Sequence, residues 1–495
     1  MKRLGLSILV LVGLAGCTEP ASLPSGPSAS PLDASAVMPV HRLPQGGVQP
    51  IPAVYGSPSI SYHGGPVILA QKVAVIYWSA RTIYIGGPAP GTTGSGANDG
   101  SLVGFFLNHL GGSPYYGINT TYYNASGTHV QNSVTYTQYW ASNTGVPANG
   151  SNVSQTAVQN KVVAGFNSGA LTYDANTVYL VFTDSAVSQG TLPCPSHAYF
   201  LWGSNVVKLG LMARVLDFPG CSVGATLTPN DDPFADDEIS IIAHEVEETN
   251  TDPQGNAWYD AYQGHTYENA DKCQDDFGTT YLTANGATAN MNIADKDFLV
   301  QQNWEIGNHQ GCATKFGVAT LSISPSPIPV CLNATTPIWA TTWDEILNPW
   351  NAGTVSWSSS NPSSAPITPN GTRQASLAGN AAGQSTIIAT LDGVADTATA
   401  TVGPCLAAPT SCTLQYIAGP DYLKVAWVNG DASASTEVEI MKSPFDWQLV
   451  STAAPSITQY FYVLGGQTGL FYARVRHVKS GYLASTYCNT GAVTV

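Results

Sequence analysis

The chain has 495 residues, with 17 Lys+Arg, 32 Asp+Glu and a formal net charge of −15. At roughly 100–200 residues per domain this length calls for about three domains, and a hydrophobic content of 43 % can fill their cores. The acidic balance excludes a nucleic-acid partner, which needs a cationic footprint, and no stretch beyond the first 20 residues is long and apolar enough to span a bilayer.

At the N-terminus, Lys2 and Arg3 precede an apolar run from Leu4 to Leu14 that is too short for a membrane span. The run ends in Leu14-Ala15-Gly16-Cys17, which resembles a bacterial lipobox. The resemblance implies that residues 1–17 are a lipoprotein signal and that Cys17 carries the lipid. An Asp after that Cys is the usual signal for retention at the inner membrane. Thr18 stands there instead, so the implied location is the outer membrane or cell surface, lipid-anchored. Residues 18–59, rich in Pro, Ser and Ala, lack the apolar groups for a core and read as a tether.

Residues 60–316 alternate helix and strand patterns. Val67 to Trp78 is a nearly continuous apolar run, the pattern of a strand buried on both faces. Leu102 to Leu110 has helical spacing, Val134 to Trp140 reads as a strand, and Val153 to Phe166 as a second helix. Thr177 to Thr183, His197 to Trp202 and Val206 to Val215 read as further strands. Such alternation predicts a layered fold of mixed type.

A third helix carries the chemistry. Asp236-Asp237-Glu238 suits a helix N-terminus, where carboxylates complement the dipole. In the following Ile239-Ser240-Ile241-Ile242-Ala243-His244-Glu245-Val246-Glu247-Glu248-Thr249, one apolar stripe holds Ile239, Ile242, Ala243 and Val246. His244, Glu245 and Glu248 lie opposite. His244 and Glu248 are one turn apart, so an imidazole and a carboxylate can converge on one point. This is the geometry of the H-E-x-x-H zinc helix with Glu in place of the second His, and Glu245 takes the position of the base. The competing interpretation is a solvated acidic helix face. Pro253 ends the helix, Gly255-Asn256 turns the chain back, and the return can bring Glu268 and Asp271 beside it. Asp271 is the first choice for a third ligand and Asp252 the second. Glu268 suits orientation of His244, and His197 is a further ligand or a stabiliser of the transition state. His63, His109, His129, His265 and His309 have no such company and are expected at the surface or in ordinary hydrogen bonds.

Residues 317–406 alternate short strands and turns: Ala319 to Ile323, Gly353 to Trp357, Thr386 to Leu391 and Thr397 to Val402. The runs Val355 to Pro362 and Ala382 to Thr390, with Gly371 between them, resemble the bacterial immunoglobulin-like group 2 domain. Residues 409–495 carry Leu423 to Trp427, Val438 to Ile440 and Phe471 to Arg476, which resemble fibronectin type III. His477 stands alone there and is expected on the surface or an edge strand. Neither segment shows a catalytic constellation, so spacer or adhesion roles are expected.

With Cys17 set aside, eight cysteines remain. In an oxidising compartment Cys331 with Cys405 and Cys412 with Cys488 would each staple one small domain. Cys194, Cys221, Cys273 and Cys312 allow three pairings, and proximity favours 194–221 and 273–312.

The series Tyr179-Leu180-Val181-Phe182-Thr183, Cys194-x-x-His197, Cys221, His244-Glu245-x-x-Glu248-x-x-Thr251-Asp252-Pro253, Trp258-Tyr259-Asp260, Glu268-x-x-Asp271-x-Cys273 and Trp304 resembles the EXORDIUM/phosphate-induced protein family, in its microbial branch. Plant members are cell-wall proteins linked to growth, and their form of this segment lacks the H-E-x-x-E side chains. The resemblance implies a zincin-type hydrolase without a settled substrate. The expected fold is therefore α+β, a zincin-like mixed α/β N-terminal domain followed by two all-β immunoglobulin-like sandwiches.

Two functions follow. The first is a surface-tethered zinc peptidase, with metal on His244, Glu248 and Asp271, Glu245 as base, His197 assisting the oxyanion, and Asp252 or Glu268 as extra ligand or supporting group. The second is a non-catalytic adhesion or binding protein whose acidic cluster is structural or holds calcium. The expected partners are the membrane, through the lipid on Cys17, and an extracellular protein or polysaccharide. A glycosidase would need a carboxylate pair that the sequence does not define.

Overall fold

A computed structural model describes residues 59–184, 187–189, 195–212 and 227–495. The signal and tether with Cys17, and Cys194 and Cys221 with their pairing, lie outside the described residues. The chain divides into two units, the first ending at Phe316 and the second beginning at Gly317.

The expected α+β, zincin-like architecture is overturned. Among the described residues strand makes up 42 % and helix 13 %, so this part of the protein is mostly β. The strands are divided among many sheets, several of only two strands. The apolar repeats do give the expected helices. What the α+β expectation missed is that the segment after the third helix folds into short hairpins, at Trp258–Tyr262 with His265–Tyr267, Met291–Ile293 with Lys296–Phe298, and Asn303–Glu305 with Gly311–Ala313.

One six-stranded sheet organises the first unit. Its strands are β1 (Gln71–Trp78), β2 (Thr92–Ser95), β3 (Val134–Ser142), β4 (Thr177–Thr183), β5 (Ser196–Trp202) and β6 (Asn205–Met212), in the order β2-β3-β1-β4-β6-β5. The inner four run parallel, and β2 and β5 close the edges antiparallel. Helices α1 (Leu102–Leu110), α2 (Gln155–Ser168) and α3 (Pro233–Thr251) complete the frame. Ala74, Ile76, Tyr179, Val181, Phe200, Val207 and Leu209 pack against Val158 and Val162 of α2. The alternate residues of the same strands face the other way, and α3 meets β5 and β6 there. Both faces are covered, which is why β1 and β4 read as unbroken apolar runs.

The second unit holds two sandwiches. In the first, Thr320–Ser324, Thr335–Trp343, Gln374–Ala378 and Ile367–Pro369 face a sheet of Ile328–Cys331, Val394–Gly403, Gly383–Leu391 and Ser356–Ser359. Every second residue of these strands enters the shared core, including Ile387, Ala389, Ala398 and Ala400. In the second, Thr410–Ile417, Tyr422–Val428 and Gln459–Val463 face Gln448–Ala453, Ser435–Lys442, Leu470–Val478 and Cys488–Asn489. Leu423, Val425 and Trp427 point inward against Val438, Ile440, Phe471 and Val475. Cys331–Cys405, Cys412–Cys488 and, in the first unit, Cys273–Cys312 are disulfides.

His477 departs from expectation. It is fully buried on the inner strand Leu470–Val478. Its Nε2 accepts from the Gly430 amide at 3.1 Å, and its Nδ1 meets Thr436 Oγ1 at 3.0 Å. Two polar partners make the buried ring acceptable.

Candidate metal centre

The helix that carries the H-E-x-x-E motif starts three residues before the acidic triplet, because Asp232-Pro233 is a stronger start signal. Asp232 caps the Ala235 amide and Pro233 occupies the first turn, where its missing N–H costs nothing. Asp236 accepts from the backbone and side chain of Asn230 at 2.9 and 2.7 Å. The apolar stripe Ile239, Ile242, Ala243 and Val246 is fully buried as expected. The opposite, polar side is buried as well: His244, Glu245 and Glu248 are 1–3 % exposed. A solvated acidic face is therefore not what this side of α3 is.

Three elements bring the polar groups together. His197 lies on β5, on the face turned from Phe200 and α2, opposite Gly210 of β6. Its Nδ1 is 3.2 Å from Glu245 Oε2 and 3.5 Å from Glu248 Oε2, and its Nε2 is 3.6 Å from Glu268 Oε2. His244 Nε2 is 2.9 Å from Glu248 Oε1 and 3.7 Å from Asp271 Oδ1. The ligand-type atoms of His197, Glu245 and Glu248 lie within 4.8 Å of one another, and so do those of His244, Glu248 and Asp271. The second group is the ligand set expected from the sequence, and Glu248 belongs to both.

The return segment is held by backbone contacts and by amides. The Asp271 amide donates to Glu248 Oε1 at 3.0 Å, and the Glu268 amide to Asp271 Oδ2 at 3.0 Å. Asn119 accepts from Asn269 at 3.1 Å and from Asn303 at 2.9 Å, and donates to Asn250 at 3.2 Å. This buried amide cluster ties α3, the return segment and the strand Asn303–Glu305 to one point. Lys272 pairs with Asp260 at 2.8 Å and lies 4.8 Å from the centre of the Trp304 ring. The Cys273–Cys312 bridge fixes the same stretch covalently. The sequence offered no sign of the Asn119 cluster, because four asparagines scattered over 185 positions resemble ordinary turn residues.

Asp252 is a neighbour of the cluster rather than part of either ligand group. Its Oδ1 accepts from the amides of Asn256 and Ala257 at 2.6 and 2.8 Å, which sets the turn that sends the chain back. Burial, with Glu248 adding to it, pushes its carboxyl up to about 6. His63, His109, His129, His265 and His309 are exposed, as expected.

Electrostatics show how crowded the site is. Burial opposes charge on both imidazoles, but the carboxylates outweigh it. Glu268, then Glu245 and Glu248, raise His197 well above its ordinary value, and chiefly Glu248 raises His244 to about 10. Burial also works against the Glu248 carboxylate, yet His244 and His197 hold it far below the usual range. Burial raises Glu268 well above that range, and Glu248, Asp252 and Asp271 add to the effect. Burial and repulsion from Glu248 push Asp271 up to about 8. Carboxylates that share a dry volume cannot all ionise without a compensating cation. Two imidazoles and four carboxylates, with hard oxygen and borderline nitrogen donors, fit a divalent metal.

Residues 218–314, which include α3 and the return segment, match the family described as phosphate-induced protein 1 conserved region. The Arabidopsis thaliana protein EXORDIUM-like 3 is 33 % identical over 137 residues. That match spans 25 % of this chain and 39 % of the plant protein, so the chain covers well under two thirds of its relative. Among solved structures, titin domains A168–A170 are 12 % identical, with 44 % of this chain and 82 % of that three-domain chain covered at a TM-score of 0.17. An Fn3-like protein from Clostridium thermocellum is 22 % identical, with 18 % and 93 % covered at a TM-score of 0.15. At such scores these likenesses add nothing to the strand pairing of the sandwiches themselves.

Proposed function

We propose that the first unit is a metal-dependent hydrolase domain, with peptide bonds as its first substrate class. The observation that carries this reading is the convergence of His244, Glu248 and Asp271, from a helix and its return segment, on one point. These three residues hold the metal, zinc in the first instance. A bound metal supplies a polarising charge and a hydroxide source near neutral pH. Glu245, expected as the base, lies 3.2 Å from His197, beside that ligand set rather than within it. Lipid on Cys17 tethers the chain to the outer membrane or cell surface. The sandwiches, of immunoglobulin-like group 2 and fibronectin type III type, act as accessory modules toward an extracellular protein or polysaccharide.

One observation favours a second reading. Every ligand-type side chain is at most 6 % exposed, and a cation that deep can be structural, calcium included, in an adhesion protein. The full chain, purified with its disulfides, separates the two by metal analysis and by incubation with a diverse peptide library beside Glu245→Ala. Bound transition metal and cleavage lost in the variant support the hydrolase. Calcium alone, or cleavage unchanged by the substitution, overturns it.

A further inference from the structure

We propose that this centre seats two divalent cations, bridged by the carboxylate of Glu248, with His197 and Glu245 as ligands of the second. The inference rests on the metal reading of the same site and deepens it.

The two oxygens of Glu248 face different imidazoles. Oε1 faces His244 at 2.9 Å, and Oε2 faces His197 at 3.5 Å. A carboxylate turned this way offers one oxygen to each of two ions. Each ion then has its own imidazole and its own second carboxylate, His244 with Asp271 and His197 with Glu245. Glu268 Oε2 stands 3.6 Å from the remaining nitrogen of His197, on the side from which a carboxylate would orient the ring and leave Nδ1 free to ligate. Metal-binding histidines are commonly oriented by such a carboxylate.

Two further observations point to a ligand. His197 Nε2 and both oxygens of Glu268 are buried and make no hydrogen bond within the protein. Such groups are costly unless something compensates them. Charge gives the count. Fully ionised, Glu245, Glu248, Glu268 and Asp271 would carry four negative charges in a dry volume. One divalent cation with neutral imidazoles leaves two of them uncompensated, whereas two cations cancel all four. Borderline nitrogen and hard oxygen donors in this ratio suit manganese, iron or zinc.

The test uses the full oxidised chain equilibrated with Mn²⁺ and dialysed. Metal analysis should give two Mn²⁺ per chain, and paramagnetic resonance should show a spin-coupled pair rather than the six lines of an isolated ion. His197→Ala and Asp271→Asn should each leave one ion and restore the six lines. If His197→Ala does not fold, Glu268→Gln serves instead, and should weaken the second ion by about tenfold to a hundredfold. One ion per wild-type chain, or a content unchanged in both the His197 and Glu268 variants, overturns the two-cation centre and leaves the hydrolase reading standing. Two coupled ions without peptide cleavage confirm the centre and overturn the peptidase. No bound Mn²⁺ or Zn²⁺ overturns both.

Discussion

Asp99 accepts four hydrogen bonds in the core of the first unit. Tyr77 and Tyr136 donate to Oδ2 at 2.5 and 2.8 Å, and the Ser101 amide and hydroxyl donate to Oδ1 at 3.0 and 2.7 Å. Ser101 in turn caps α1 through the Gly104 amide. Asp99→Ala would strand two buried phenols and loosen that cap. A loss of about 3 kcal/mol in urea unfolding is expected from the unpaired groups. His477 makes a prediction of opposite logic. Burial lowers it below its ordinary 6.5, against smaller pulls from the Ser435 backbone and Asp431, and its Nε2 must stay unprotonated to accept from Gly430. The unfolded chain therefore takes up the proton first as pH falls. The stabilisation is complete above about pH 6.5 and declines below it. Thermal unfolding of the second unit, followed from pH 7.5 to 5, should show a fall in midpoint that His477→Gln flattens.

At the level of elements, what could be read from the chain depended on how local the signal was. The apolar spacing from Leu102 to Leu110 coincides with α1, and Thr177 to Thr183 with β4, because burial on a fixed face writes a period into the residues. The motif helix was legible for the same reason, but its burial on the polar side was not. Nothing local distinguishes a solvated carboxylate from one packed against a distant His197. The hairpins between Trp258 and Ala313 are short, two to five residues a strand, and carry too few positions to show alternation. The amide cluster around Asn119 is wholly non-local. Its role is testable: Asn119→Leu leaves Asn250, Asn269 and Asn303 each short of a partner. A cost of about 2–4 kcal/mol in urea unfolding is expected, together with weaker metal retention, because Asn269 adjoins Glu268. Metal retention equal to wild type would show that the return segment does not depend on the cluster.

Across the whole molecule, the excess acid of the chain has two fates. Part is solvated, and part is gathered inside the first unit around α3, where Glu238, Glu245, Glu247, Glu248 and Asp252 are buried. The second unit relies instead on apolar sandwich cores closed by a disulfide each. Chain-entropy reasoning for a separation of 74 residues gives Cys331–Cys405 about 4.4 kcal/mol. Cys331→Ser with Cys405→Ser should lower the calorimetric midpoint of this unit while leaving metal content of the first unit intact. Loss of metal in that double variant would show that the units are not independent.

The placing of those two bridges has a mechanical consequence. Tension drawn along the backbone from Gly317 toward the C-terminus reaches Cys331, crosses the sulfur pair to Cys405, and crosses again from Cys412 to Cys488. Residues 413–487, which hold every buried core residue of the second sandwich, and 332–404, which hold twelve of the seventeen of the first, lie off the loaded path. Of the first sandwich, the strands Thr320–Ser324 and Ile328–Cys331 lie before the bridge and can be peeled by force. An oxidised chain under pull would therefore lengthen little, and reduction would release both hidden lengths at once.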